Sequence, residues 1–265
     1  MVKRSYKKSS KPATVHFVGA GPGDPELVTV KGAKLLKKAG VVVYTGSLVN
    51  KGLLKHCSKK ASLYDSAPMH LGELTDIMID AAREGKSVVR LHTGDTSLYS
   101  AFGEQAEILE RNGIPYDITP GVSSAFAAAA SLKKEFTVPE ATQTVIFTRL
   151  AGRTPVPVDE DLEALASHKA TICVFLSARA VEEVARLLIK GGYPPSTPAA
   201  VVYKASWEDE IKITGTLKDI AGKAKKAGIK RHALILAGRA LGVKETQAAS
   251  KLYDREFFHG YRTKR

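Results

Sequence analysis

The sequence predicts an α/β protein of two domains, with a mostly parallel sheet in the first. Short apolar runs alternate with segments of helical spacing through the first half of the chain, and this alternation is typical of βα units. The pattern is lost near residues 133–141 and then repeats. A chain of 265 residues has room for one large domain or two modest ones. The break favours two, at 13–135 and 136–265, after a basic tail at 1–12.

The first half contains five apolar runs that predict strands and four segments that predict helices. The strands are at residues 14–19, 41–44, 62–65, 87–92 and 116–118, and the helices at 28–39, 71–83, 97–111 and 122–132. Leu71, Leu74 and Met78 illustrate the helical spacing. Asn112-Gly113 is a typical end for the third helix.

The second half repeats the alternation. Its strands are predicted at residues 143–149, 171–176, 199–203, 210–214 and 233–236, and its helices at 159–167, 180–190 and 217–227. Polar and apolar residues alternate within 210–214. This alternation favours a partly exposed strand or an antiparallel hairpin strand over a central parallel strand.

The formal net charge of +13 suggests an anionic partner. The charge is concentrated at the ends, since residues 1–11 hold five cations and no acid, and residues 251–265 hold five cations and two acids. The rest of the chain therefore gives weak support for a nucleic-acid surface.

Cysteine and histidine positions argue against disulfides and metal. Cys57 and Cys173 lie far apart without a CxxC pattern, so a reducing cytoplasm is expected. No apolar run approaches the ~18 residues of a membrane span. His70, His92 and His259 lack a histidine partner one helical turn away, and no metal site is predicted.

Three loops follow predicted strands of the first domain: GAGPGDPELVTV (19–30), TGDTSLYSAF (93–102) and TPGVSSAFAAAASL (119–132). Ligands of parallel sheets bind outside the carboxyl ends of the strands, so these loops are expected at one crevice. The first loop is not a dinucleotide fingerprint, because Asp24 stands where the third glycine would be. No Walker loop is present either.

The three loops contain no Lys or Arg, although the chain has 40 such residues. A phosphate site usually recruits a cation, whereas a positively charged cofactor would be repelled by one. A sulfonium such as S-adenosylmethionine fits this pattern, with Asp24 and Asp95 as polar partners. Ordinary βα loops that avoid long side chains beside packed helices remain the alternative.

Five stretches resemble the tetrapyrrole (precorrin) methylases: GAGPGDPELVTVKGAKLL (19–36), HTGDTSLYSAFGEQ (92–105), PGVSSAFAAAA (120–130), TQTVIFTRLAGRTPVP (142–157) and SKLYDREFFHGYR (250–262). The last two are similar to the members that methylate carbon 11. The resemblance covers residues 15–262. It implies two αβα domains with a cofactor cleft between them, a homodimer, and methylation of a precorrin-4-type tetrapyrrole in cobalamin biosynthesis.

The resemblance also implies the cofactor and its contacts. S-adenosylmethionine would be held by Pro22, Thr93, Gly94, Asp95, Leu98, Ser123, Ser124, Leu176, Ala205 and Ala233. Many members have Pro and Gly where this chain has Thr96 and Ser100, and these changes could alter the rigidity of the second loop.

Methyl transfer from a sulfonium is an in-line displacement, so alignment and exclusion of water suffice and no covalent nucleophile is expected. Asp24 is the candidate for handling a proton, with a turn or helix cap as the alternative. Arg149 and Arg153 are candidates for gripping substrate carboxylates. Met69 could line the substrate site or pack at a helix start.

Two other functions stay open at this point. An RNA methyltransferase of the same superfold is favoured by the basic charge, but such relatives usually carry a GTPIGN-like first loop. A nucleic-acid-binding module lacks its usual mixture of aromatic and basic residues. Another tetrapyrrole methylase, acting on uroporphyrinogen III or another precorrin, is the nearer alternative. We therefore expect a polycarboxylated tetrapyrrole as partner, without nucleic acid or membrane.

Overall fold

A computed structural model describes residues 11–243 together with 257, 258, 260 and 262. Its described residues form two compact units. Unit 1 contains the chain up to Ser124 and also Ser206–Glu208, and unit 2 contains Ala125–Ala205 and the chain from Asp209. The boundary expected at residue 135 stays a prediction. Within the described part of the chain, no helix is long and apolar enough to span a membrane.

Unit 1 is built around a parallel sheet. Its strands are Val15–Gly19 (β1), Val41–Tyr44 (β2), Ser62–Asp65 (β3), Val88–His92 (β4) and Tyr116–Thr119 (β5). Its helices are Val30–Lys38 (α1), Leu71–Arg83 (α2) and Phe102–Arg111 (α3). The strand order is β3-β2-β4-β1-β5, and every pair is parallel. β1 therefore lies between β4 and β5, so the three loops that follow these strands start side by side.

Both faces of the unit 1 sheet are covered. Val18 and Leu91 pack with Leu36 of α1 on one face, whereas Phe17 packs with Met78 of α2 and Leu109 of α3 on the other. Because helices cover both faces of the sheet, all five residues of β4 are buried, including the polar Arg90 and His92.

α3 begins later than predicted. The sequence predicts a helix from residue 97, but α3 starts at Phe102 because Tyr99 and Ala101 have φ of +54° and +51°. The Ser100 hydroxyl donates to the Thr96 carbonyl. Residues 97–101 thus form a turn that helical spacing alone does not distinguish from a first helical turn.

Unit 2 is built around a mixed sheet. Its strands are Val145–Arg149 (β6), Thr171–Phe175 (β7), Pro198–Tyr203 (β8), Ile211–Thr216 (β9) and Ala233–Ala237 (β10), in the order β6-β7-β10-β8-β9. Its helices are Ser124–Leu132 (α4), Leu162–Ala166 (α5), Val181–Lys190 (α6) and Ile220–Lys226 (α7), of which α4 belongs to unit 2 from Ala125 onward.

Strand direction is the main difference between the two sheets. Only the β6–β7 pair of unit 2 is parallel. β8 and β9 pair antiparallel at the sheet edge, which confirms the hairpin predicted from the alternation in 210–214. The short connection between them contains no crossover helix, and without one a parallel pairing is not possible.

Candidate functional site

The loops after β1, β4 and β5 pack backbone against backbone. Gly21 and Gly94 exchange two hydrogen bonds, from Gly21 N to Gly94 O at 3.1 Å and from Gly94 N to Gly21 O at 2.8 Å. A Cβ atom on Gly19 would lie 2.5 Å from Gly121 N, closer than real Cβ atoms come to a backbone nitrogen. The loops can approach so closely because Gly19 and Gly121 have no Cβ, whereas at Gly94 glycine instead permits a φ of +64°.

Asp95 ties the second loop to the third. Its Oδ2 accepts from Gly121 N at 2.7 Å, and its Oδ1 accepts from Ser97 N at 2.8 Å. Burial acts to raise the pKa of the Asp95 carboxyl, but the hydrogen bonds from Ser97 and Gly121 outweigh it and hold that pKa below its usual range. Asp95 therefore supplies a negative charge in loops that contain no cation.

The first loop is held by residues that sequence reasoning missed. The indole Nε1 of Trp207 donates to Pro22 O at 2.9 Å, and Asp24 N donates to Ser206 Oγ at 3.0 Å. The Trp207 ring lies so close to Gly23 that a Cβ there would overlap it. The one signal in the sequence was that the chain's single tryptophan lies in the short connection between the predicted strands 199–203 and 210–214.

The Asp24 carboxylate has a capping role. Its Oδ1 accepts from Glu26 N at 2.8 Å at the start of the 3-10 helix Pro25–Leu27. This arrangement is the cap that the sequence offered as the alternative for Asp24. A role for Asp24 in proton transfer stays a prediction.

The other candidate residues of unit 1 lie in different parts of its loops. Thr93 directly precedes Gly94, and its hydroxyl donates to Leu48 O at 3.3 Å. Leu98 is half-buried in the second loop, Ser123 is buried, and Ser124 begins α4. Met69 follows β3, which two strands separate from β1, and it packs against the apolar cluster that contains Leu74 and Met78.

Two of the three histidines considered as metal ligands have structural surroundings. His70 caps α2: its Nδ1 accepts from Glu73 N at 3.3 Å. His92 is buried, and burial together with the Arg90 cation lowers its pKa to about 3, so the ring is neutral at pH 7. His259 lies outside the described residues. Within those residues, no cluster of three His, Cys, Asp or Glu side chains is placed to hold a metal.

Arg90 is a buried cation that ties β4 to its neighbours. Its Nε donates to Gln105 Oε1 of α3 at 2.9 Å, and its Nη1 donates to Ser66 Oγ at 3.0 Å. Burial lowers the pKa of Arg90 to about 10, which leaves the guanidinium charged at pH 7. These bonds hold β4, which leads into the second loop, against α3 and against the segment that follows β3.

In unit 2, the candidates lie at one edge of the sheet. Leu176 follows β7, is 73% exposed and has φ of +55°. Ala205 is buried just after β8. Ala233 starts β10 and pairs with Tyr203. Because β10 runs antiparallel to β7 and β8, its amino end lies beside their carboxyl ends.

Arg149 and Arg153 occupy the loop after β6, at the same edge as Leu176, since Arg149 pairs with Phe175. The Arg149 guanidinium donates to the carbonyl oxygens of Leu150, Thr154 and Pro155 at 3.2, 3.1 and 2.7 Å. Arg153 is exposed and takes part in none of the ion pairs seen among the described residues.

Sequence comparison relates this chain to known proteins. Residues 14–221 match the family described as Tetrapyrrole (Corrin/Porphyrin) Methylases. A cobalt-precorrin-4 C(11)-methyltransferase of Methanocaldococcus jannaschii is 55% identical over 248 residues, which cover 94% of this chain and 95% of that protein. A uroporphyrinogen-III C-methyltransferase of Bacillus subtilis is 33% identical over 233 residues, which cover 86% of this chain and 90% of that protein.

Solved structures show the same fold. A cobalt-precorrin-4 methyltransferase, described as a cobalamin biosynthetic enzyme, matches with a TM-score of 0.84 and 49% identity over 86% of this chain and 95% of that one. A uroporphyrin-III C-methyltransferase of Thermus thermophilus, in complex with S-adenosylhomocysteine, matches with a TM-score of 0.72 and 29% identity over 86% of this chain and 93% of that one. The predicted fold and family resemblance are confirmed.

Proposed function

This chain belongs to the tetrapyrrole (corrin/porphyrin) methylases, and from that premise we propose that it transfers a methyl group from S-adenosylmethionine to carbon 11 of a precorrin-4-type tetrapyrrole in cobalamin biosynthesis. The observation that carries this proposal is the gradient of similarity among relatives. Those named for C(11) methylation of precorrin-4 or cobalt-precorrin-4 are 42–55% identical to this chain, whereas the uroporphyrinogen-III methylase of Bacillus subtilis is 33% identical.

The residues of unit 1 fit a cationic cofactor. The contact between Gly19, Gly94 and Gly121 is made by backbone atoms, so a cofactor bound there would meet backbone groups rather than side chains. Asp95 stays ionised, and no Lys or Arg occurs in the three loops. A sulfonium supplies an electrophilic methyl group and would be repelled by a cation at this place.

The cofactor contacts that we propose are those that the family resemblance implies: Pro22, Thr93, Gly94, Asp95, Leu98, Ser123, Ser124, Leu176, Ala205 and Ala233. Their task is to bind, orient and exclude water, since holding two reactants in line can supply ~7–11 kcal/mol of the barrier. Arg153 is the candidate contact for a substrate carboxylate, because it is exposed and in no ion pair of the described residues. The proposal includes a cytoplasmic homodimer, which sedimentation and cell fractionation would test.

Binding and product analysis test this function. Isothermal titration should show S-adenosylhomocysteine binding, and incubation with S-adenosylmethionine should methylate precorrin-4 or its cobalt form. The position of the new methyl group separates C-11 methylation from methylation elsewhere on the macrocycle. Absence of binding at millimolar S-adenosylhomocysteine would refute the proposed cofactor.

A lysine-rich surface of unit 1 favours a polycarboxylated substrate. Residues 27–64 contain eight lysines and no acid: Lys31, Lys34, Lys37, Lys38, Lys51, Lys55, Lys59 and Lys60. All eight are exposed, and none is in an ion pair of the described residues. Such a surface attracts an anionic ligand at long range.

The double variant Lys34→Glu/Lys55→Glu should therefore lower kcat/KM for the tetrapyrrole about three- to tenfold at low salt, with kcat unchanged. The loss should disappear near 1 M salt, where the screening length falls to ~3 Å. Lys225→Glu/Lys226→Glu on α7 is the matched control, because it changes the net charge equally on exposed residues of unit 2. Equal losses in both variants would show that only net charge matters.

A further inference from the structure

The loop after β6 is closed by its own arginine. Arg149 is the last residue of β6, and its Nη1 donates to the carbonyls of Leu150 and Thr154 while its Nη2 donates to that of Pro155. A planar guanidinium can serve several acceptors in a fixed geometry, which the single ammonium of lysine cannot reproduce. The two ends of the 150–155 segment are thus joined through one side chain.

Two further contacts hold the root of this loop and leave its tip exposed. Leu150 N donates to Ser177 Oγ at 3.1 Å, and the buried Ser177 hydroxyl donates to Phe175 O at 2.7 Å. Gly152 N donates to Thr154 O at 3.2 Å, which forms the turn around Arg153. Residues 151–155 are all exposed. The loop is therefore shaped by hydrogen bonds, without the burial of its tip.

The acceptors of Arg149 are carbonyl oxygens, so the contact does not neutralise its charge. Residues 145–158 contain Arg149 and Arg153 and no acid. Asp159, Glu160 and Asp161 follow directly, but neither arginine forms an ion pair with them among the described residues. The charges of both guanidinium groups therefore remain without an acidic partner there and favour a carboxylate ligand.

We propose that Arg149 is a positioning residue for the substrate: it holds the 150–155 loop in the conformation from which Arg153 binds a carboxylate of the tetrapyrrole. This inference rests on the proposed function and assigns different tasks to the two arginines. Arg153 touches the substrate, and Arg149 acts through Arg153.

The test is a double-mutant cycle on Arg149→Lys and Arg153→Ala, with KM for the tetrapyrrole as the readout. Each single variant should raise KM about tenfold, the loss expected for one charge-assisted hydrogen bond. The double variant should be no worse than Arg153→Ala, because Arg149 has no separate contact with the substrate. KM for S-adenosylmethionine should stay unchanged in all three.

Hydrogen exchange separates loop positioning from general destabilisation. In Arg149→Lys, the amides of residues 150–156 should exchange faster, whereas exchange in the remaining strands of unit 2 should not change. Arg186→Lys is the control, because Arg186 is an exposed arginine of α6 paired with Glu183. It should alter neither KM nor exchange in the loop.

Three results would overturn the inference: additive effects in the double variant, an unchanged KM in Arg149→Lys, or an unchanged KM in Arg153→Ala. Each is measured on protein that methylates the tetrapyrrole. A failure of the proposed function would appear first, as absence of methylation by the unaltered chain. If Arg149→Lys unfolds at a much lower temperature, Ser177→Ala takes its place, because it removes the other anchor of the loop. Its KM and its hydrogen exchange in residues 150–156 should change in the same way.

Discussion

Gly121→Ala should weaken S-adenosylhomocysteine binding about 10- to 100-fold. A Cβ at position 121 would overlap Gly94 O and lie 2.8 Å from Gly19 Cα, so all three loops would have to move apart. Such overpacking costs about 1–3 kcal/mol. If the free protein relieves it by letting the loops move apart, cofactor binding must restore their packing against this cost, and 1.4 kcal/mol is about tenfold in affinity. The hydrogen bond from Gly121 N to Asp95 would be strained by the same movement. Isothermal titration measures the loss.

Gly103→Ala is the matched control for Gly121→Ala. Gly103 lies in α3, and a Cβ there meets no atom within 4 Å. This variant should bind the cofactor normally and should gain about 0.5–1 kcal/mol of stability, since alanine is the better helix former. Wild-type affinity in Gly121→Ala would show that the close packing of the loops is not needed for binding.

Gly23→Ala should displace the Trp207 indole and weaken cofactor binding. The new Cβ would occupy the position of the indole ring, which would break the 2.9 Å hydrogen bond from Trp207 Nε1 to Pro22 O. Trp207 is the only tryptophan of the chain, so its emission reports this loop alone. We expect emission at longer wavelength and an affinity for S-adenosylhomocysteine about tenfold lower.

The unaltered protein provides the reference for this experiment. Its Trp207 emission should change on titration with S-adenosylhomocysteine, because Pro22 is assigned to the cofactor site and accepts the indole hydrogen bond. Gly222→Ala in α7 is the control, since a Cβ there meets nothing within 4 Å. If Gly23→Ala leaves both emission and affinity unchanged, Trp207 does not support the cofactor loop.

Helices and strands were predictable because apolar residues recur in each of them with a short, characteristic spacing. The strands 41–44 and 62–65 and the helix 71–83 were predicted with the bounds that the structure has, since apolar runs and helical spacing are readable within a few residues. The partly exposed position of β9 was also predictable from the alternation of polar and apolar residues in 210–214. No residue of β9 is fully buried, and Ile213 packs partly buried against the core of unit 2. The start of α3 was not, since the left-handed Tyr99 and Ala101 break the helix without breaking its apolar spacing.

Candidate site residues were only partly predictable. The absence of cations from the three loops is a property of composition and indicated a cationic cofactor from the sequence. The sequence assigned Arg149 to the substrate because it stands at a predicted strand end of the second domain, whereas the structure directs its guanidinium to three backbone carbonyls. No local pattern distinguishes an arginine that binds a ligand from one that closes a loop.

By itself, the sequence determined the α/β class and nearly all the strands and helices. It also determined the family and the composition of the loops. Each of these properties depends on residues that are close together in the sequence. Only the tertiary structure decided that Gly19, Gly94 and Gly121 meet and that Trp207 holds Pro22 from a position 185 residues away. Such contacts depend on which strands lie side by side, and strand order is set by packing of the whole unit rather than by any local period.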